Sequence, residues 1–219
     1  MKDSRKRMFV TDFDGTMTKY DFFDLARRDL PTAADHDHWE DYVAGRITHF
    51  EALARIFSSI RTDWTGIEAV LDRMELDPAL PDAVARLQKA GWVIVVASAG
   101  CSWYIHRLLK RVGVTLDVHS NPGVFTPESG LVLSQPVESP YFRDETGIDK
   151  PALVRSALQA DPDTVFAGDG RPDREPADLV KPQRRFARGW LAEHYRERGE
   201  SFHRFDVWSE IAERLLEES

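Results

Sequence analysis

Met8-Phe9-Val10-Thr11-Asp12-Phe13-Asp14-Gly15-Thr16-Met17-Thr18 decides how the chain is read. Its apolar start, residues 8–10, has the character of a short buried strand and runs straight into two aspartates and a glycine turn. Carboxylates at the end of a buried strand are costly unless something there uses them. In an open parallel α/β sheet, the carboxyl ends of the strands are where ligands bind. On extended backbone, Asp12 and Asp14 point the same way, into one pocket, while Phe13 turns toward packing.

Working outward, residues 20–76 carry apolar stripes at helical spacing: Phe22, Phe23 and Leu25, then Trp39, Tyr42 and Val43, then Phe50, Leu53 and Phe57, then Ile67, Val70 and Leu71. Three to four short helices are expected there, broken near Pro31, Gly45 and Asp63. From Pro78 onward the pattern alternates. A helix at 82–90 ends at Gly91, a buried strand at 92–97 stops at Ser98-Ala99-Gly100, and a helix at 103–112 leads to a strand at 114–118. The Gly/Pro-rich run 121–140 suggests a small hairpin around Glu128-Ser129-Gly130. A helix at 151–160 opens with Pro151, a strand at 164–167 ends at Gly168-Asp169-Gly170, and residues 178–180 and 185–187 flank the last sheet element. Trp208, Ile211, Ala212 and Leu215 stripe a final helix. The expected fold is α/β, a Rossmann-like parallel sheet with an inserted helical cap: core 1–19 and 77–219, cap 20–76.

With 219 residues and 42% hydrophobic composition, the chain can bury a full core and a modest insertion. A net charge of −8 argues against general nucleic-acid binding. The apolar runs are strand-length, too short for a membrane span. Lys2, Arg5, Lys6 and Arg7 precede a brief apolar stretch rather than a signal-peptide core, and the single Cys101 cannot form an internal disulfide. A cytoplasmic monomer or homodimer is expected, with neither nucleic acid nor membrane as a partner.

Parallel strands would bring four places together: Asp12/Asp14, Ser98, Lys150 and Asp169/Asp173. Clustered carboxylates repel one another unless a cation sits between them, and oxygen donors of this kind suit Mg²⁺, whose shell substrate phosphate oxygens often complete. Lys150 and the Ser98 hydroxyl supply a positive charge and a donor for further phosphate oxygens. The set describes phosphoryl transfer, with a small phosphorylated metabolite as the expected partner.

In order, Asp12-Phe13-Asp14-Gly15-Thr16, Ser98-Ala99-Gly100, Lys150-Pro151 and Gly168-Asp169-Gly170-Arg171-Pro172-Asp173 resemble the four motifs of the haloacid dehalogenase superfamily. The helical insertion matches the cap of its phosphoserine-phosphatase-like branch. The resemblance implies that Asp12 is the nucleophile and Asp14 the acid and base. It implies that Ser98, Ala99 and Lys150 bind phosphate, and that Asp12, Asp14 through its carbonyl, Asp169 and Asp173 hold Mg²⁺. The second aspartate favours a phosphatase over a dehalogenase, because halide leaves without a proton.

Ser98-Ala99-Gly100 before Trp103-Tyr104-Ile105, Asp149-Lys150-Pro151, and the tail from Phe186-Ala187-Arg188 to Asp206 are most similar to the methionine-salvage phosphatases. Those act on 2-hydroxy-3-keto-5-methylthiopentenyl phosphate. Ser102 departs from the acidic residue expected there, and a cysteine-rich stretch before the lysine is absent. Phosphoserine is the alternative substrate, with Asp21 and Arg55 as candidate contacts for its amine and carboxylate. A phosphotransferase or phosphomutase, or a catalytically silent binding protein, is the alternative class. His36-Asp37-His38 reads as a solvated polar run, and Cys101 as packing.

Overall fold

A computed structural model describes residues 6–218; the basic residues Lys2 and Arg5 lie outside them. Six parallel strands form the main sheet: β1 (Arg7–Thr11), β2 (Trp92–Cys101), β3 (Asp117–Asn121), β8 (Val165–Gly168), β9 (Arg185–Ala187) and β10 (His203–Arg204). Two small antiparallel hairpins, β4 (Gly123–Thr126) with β5 (Gly130–Leu133) and β6 (Phe142–Arg143) with β7 (Gly147–Ile148), lie between β3 and β8. The sheet order is β10-β9-β8-β1-β2-β3. The chain therefore builds one way from β1 and then returns to build the other way, which puts a crevice at the carboxyl ends of β1 and β8.

Period-two alternation along the strands feeds two cores. Phe9, Ile94, Val96 and Val165 face one side, where they pack with α5 (Leu80–Lys89), α6 (Ser102–Arg111) and α10 (Trp208–Glu217). Val10, Val95, Ala97 and Phe166 face the other, under α7 (Lys150–Ala160), α8 (Arg174–Leu179) and α9 (Gly189–Glu197). Trp208 stacks on Phe9, ring centroids 5.3 Å apart, and its indole N–H donates to Thr11 Oγ1 at 3.0 Å, one residue before Asp12. Trp208→Ala is expected to destabilise the protein by about 3–5 kcal/mol, read as a lower urea midpoint with an unchanged m-value.

Between β1 and α5 the chain forms four helices: α1 (Phe22–Asp29), α2 (His38–Val43), α3 (His49–Ser58) and α4 (Trp64–Arg73). Each start has a side-chain cap. Asp21, Asp37 and Asp63 accept backbone N–H groups at α1, α2 and α4, and Thr48 forms a capping box with Glu51 at α3. The insertion leans on the β4–β5 hairpin. Gly130, at φ +68°, comes so close that an added Cβ would sit 2.6 Å from the Phe57 carbonyl oxygen.

Several expected boundaries move. β2 runs on through Ser98-Ala99-Gly100 to Cys101, with its pairing to β3 slipping between Ala97 and Cys101. The third strand lies at Asp117–Asn121, not 114–118: apart from Val118 its pairing residues are polar, and Val114 packs into the core before it. Residues 178–179 belong to α8, and β10 is an edge strand without an apolar signal. Among the described residues, no helix is long and apolar enough to cross a membrane.

Candidate active site

Asp12 follows β1, and its backbone N–H donates to the Ala167 carbonyl of β8 at 2.9 Å, so the sheet itself fixes its position. Lys150, at the start of α7, is buried and reaches Asp12 Oδ1 and Asp173 Oδ1, both at 2.6 Å. Asp173 closes the short helical turn after β8; its Oδ2 accepts the Asp169 and Gly170 N–H groups at 3.1 and 3.0 Å. One lysine thus links the ends of β1 and β8.

Asp14 sits two residues on, in a different environment. Its Oδ2 accepts from the Tyr104 hydroxyl at 2.8 Å and from Ser98 Oγ at 3.3 Å, and its Oδ1 from the Phe22 N–H at 3.3 Å. Ser98 Oγ accepts the Gly100 N–H at 3.0 Å, and the Ala99 carbonyl accepts from Asn121 Nδ2 at 2.9 Å. The slipped end of β2 is therefore held from two sides. Gly15, at φ +69°, lies against the Asp169 carboxylate so closely that a side chain there would collide with it.

Burial pushes Asp12 up to about 7; Asp173 adds to the shift and Lys150 opposes it. Asp14 also rises to about 7, by burial and then by the Asp12 charge, against the hydrogen bonds from Tyr104, Phe22 and Ser98. Asp169 is half-buried and lies well above the usual carboxylate range, through desolvation and the charges of Asp12 and Asp173. Burial alone would lower Lys150, but Asp12 and Asp173 outweigh it and hold its ammonium above the ordinary value.

Asp12, Asp169 and Asp173 each place a carboxylate oxygen within 4.8 Å of the others. One lysine does not neutralise them, and the donors are all oxygen, so the residues present fit a Mg²⁺ ion. Raised carboxyl groups bind extra protons in the folded state. Stability of the metal-free protein is therefore expected to fall as pH rises from near 3.8 toward about 7, where these protons are lost. At neutral pH, Asp169→Asn should raise the metal-free melting temperature, by about 2–4 °C for each kcal/mol of repulsion relieved. The same change should remove most of the increase that Mg²⁺ gives the wild type.

Above these groups lies a cavity of about 440 Å³. The polar floor holds Asp12, Asp14, Ser98, Ala99, Lys150, Asp169 and Asp173, all of them singled out in the sequence. The helical insertion supplies Phe23, Trp39, Tyr42, Leu53 and Phe57 as an aromatic and aliphatic wall, with Asp21, Asp24, Arg27 and His49 among them. Asp21 is brought to the cavity, raised to about 8 by burial and by Asp14 and Asp24. Arg55 is not. It is exposed and pairs loosely with Glu51, because Leu53 and Phe57, two residues to either side on α3, take the inward face.

Over residues 9–178 the chain matches the model of the haloacid dehalogenase-like hydrolases. It belongs to that family. A 2-hydroxy-3-keto-5-methylthiopentenyl-1-phosphate phosphatase of Bacillus pumilus is 23% identical over 89% of this chain and 84% of its own length. A phosphatase of the same description from Microcystis aeruginosa is 26% identical over 96% and 98%. Among solved structures, a substrate-bound phosphoserine phosphatase superposes with a TM-score of 0.66 at 14% identity, covering 97% of this chain and 99% of that one. This haloacid dehalogenase-like hydrolase thus shares its fold with phosphoserine phosphatase.

Tyr104 and His49 are among the residues of the site that the sequence alone does not single out. Tyr104 is buried on the otherwise apolar face of α6, and its hydroxyl meets Asp14, ninety positions away in the chain. The available signal was one hydroxyl in a stripe with Ile105, Leu108 and Leu109. His49 is buried, lines the cavity beside Trp39 and Tyr42, and has no hydrogen-bond partner at Nδ1. Burial, with the nearby Lys150 charge, lowers it to about 4, so it presents a neutral ring at neutral pH. Its place at the first position of a capped helix concealed it.

Proposed function

We propose that the protein is a Mg²⁺-dependent phosphatase that hydrolyses a small phosphomonoester through an aspartyl-phosphate on Asp12. The observation that carries this reading is the Lys150 ammonium bridging Asp12 and Asp173, with Asp14 beside them on separate hydrogen bonds. Such a division gives two neighbouring carboxylates different work. Asp12 attacks phosphorus, forming a new P–O bond as the ester P–O bond breaks, and Asp14 gives its proton to the departing alkoxide. Asp14 then takes a proton from water, whose oxygen attacks phosphorus, and the bond to Asp12 breaks to release inorganic phosphate.

Lys150 and the Ser98 hydroxyl would steady the negative charge on the phosphoryl oxygens. Mg²⁺, held by Asp12, Asp169 and the Asp14 carbonyl, with Asp173 as ligand or outer partner, would supply further charge stabilisation at those oxygens. Residues 20–76 would serve as a cap over a core of 1–19 and 77–219, excluding water and choosing the leaving group.

For the substrate, the reading favoured is a phosphorylated intermediate of methionine salvage. The cap wall of Phe23, Trp39, Leu53 and Phe57 suits an uncharged, apolar-tailed leaving group, and two similar proteins bear that activity as their description. Phosphoserine would need a cation for its carboxylate. Arg27, the cap arginine that lines the cavity, is engaged by Asp37, Arg171 on the opposite rim lies over the Trp190 ring, and Arg55 faces away. Steady-state hydrolysis of a panel of phosphomonoesters with Mg²⁺ tests this, with the methylthio-ketopentenyl phosphate and phosphoserine in parallel. A higher kcat/KM for phosphoserine would overturn the substrate assignment, and no release of phosphate from any ester would overturn the activity.

A further inference from the structure

Apart from the catalytic cavity, the helical insertion gathers a second set of metal-ligand side chains. His36 precedes α2, His38 is its first residue, and Asp41 lies one turn along the same face. His36 Nε2 is 2.8 Å from Asp41 Oδ2, and His38 Nδ1 is 3.8 Å from that same oxygen. All three donor atoms lie within 4.8 Å of one another. His38 Nδ1 is closed off from solvent without a hydrogen-bond partner, a condition that buried ring nitrogens seldom keep. Arg46 Nε holds the other Asp41 oxygen, Oδ1, at 2.7 Å, which fixes the carboxylate plane and leaves Oδ2 turned to the two imidazoles.

We propose that His36, His38 and Asp41 form a second metal site, for Zn²⁺ or a similar borderline divalent cation. Two imidazole nitrogens and one carboxylate oxygen suit that class, whereas Mg²⁺ prefers oxygen alone. Around a tetrahedral Zn²⁺ with bonds of about 2.0–2.1 Å, donor atoms stand about 3.3 Å apart. The 2.8 Å contact would open and the 3.8 Å gap close, each by about half an ångström. A water would complete the fourth position. The His36-Asp37-His38 run looks solvated on its own; the turn of α2 that adds Asp41 converts it into a three-donor set. Bound there, the ion would tie the segment before α2 to the helix that carries Trp39 and Tyr42 into the cavity wall. The site stands independently of the catalytic reading, since it shares no residue with the acidic floor.

The test is a Co²⁺ titration of the chelator-stripped full chain, with excess Mg²⁺ to occupy the oxygen-only cluster, followed by visible absorption. One equivalent of Co²⁺ should give the intense bands of a four-coordinate site with nitrogen ligands, and Zn²⁺ should displace it. His38→Ala and, separately, His36→Gln should each weaken binding at least about tenfold. Asp169→Asn should leave the bands in place. His36 is exposed at the surface, so its substitution reports on binding without disturbing the core; circular dichroism confirms the fold of each variant. A wild type that shows only a weak six-coordinate spectrum, or bands that neither histidine substitution changes, would overturn the proposal.

Discussion

Asp12→Asn is expected to abolish Mg²⁺-dependent hydrolysis of p-nitrophenyl phosphate, lowering kcat by about 10⁵–10⁶-fold, the range seen when a covalent nucleophile is lost. The carboxamide keeps the shape of the side chain but lacks the anionic oxygen that must bond to phosphorus. The substitution does not empty the site of structure. Lys150 retains Asp173 at 2.6 Å, and the Asp12 backbone keeps its bond to Ala167. The variant should therefore fold, and its thermal midpoint should stay close to that of the wild type. Loss of activity without loss of fold is the diagnostic result. The nucleophile assignment fails if a pure sample keeps turnover within about 100-fold of the wild type.

What the chain disclosed in advance follows physical lines. β1 and the start of β2 were legible because a strand buried on both faces needs an unbroken apolar run, and 8–10 and 92–97 are such runs. The polar motifs after β1, β2 and β8 were legible because strand ends in a parallel sheet converge on one edge. β3 and β10 were not. Asp117, His119 and Asn121 mark an edge strand by polarity, and His203-Arg204 is too short to carry any pattern. In the site, the floor residues announce themselves by motif, whereas Tyr104 and His49 act through contacts between elements far apart in sequence. Arg55 has the charge a substrate carboxylate needs and a place in the insertion, but the phase of α3 turns it outward. Charge is read from a residue, but direction belongs to the helix.

Asp14→Asn should behave differently from Asp12→Asn, and the difference tests the division of labour between the two carboxylates. With an alkyl phosphate, the leaving alkoxide needs a proton, and loss of a positioned general acid is expected to slow turnover by about 10²–10⁴-fold. p-Nitrophenolate leaves without one. The first step with p-nitrophenyl phosphate should therefore survive in Asp14→Asn, because Asp12 and Lys150 remain in contact at 2.6 Å. The second step should not, since the water that attacks the aspartyl-phosphate has lost its base. Rapid mixing should then show a burst of p-nitrophenol close to one equivalent per enzyme, followed by slow turnover, and acid quench should trap phosphate on Asp12. The carboxamide oxygen of the variant can still accept from the Tyr104 hydroxyl, which reaches Asp14 at 2.8 Å in the wild type, while the weaker 3.3 Å bond from the Phe22 N–H is lost to the amide nitrogen; circular dichroism and the thermal midpoint check that the fold survives this. If the variant instead shows no burst, with both ester classes slowed alike, the loss lies in the covalent step whether or not the leaving group needs a proton, and the assignment of Asp14 as acid and then base must be given up.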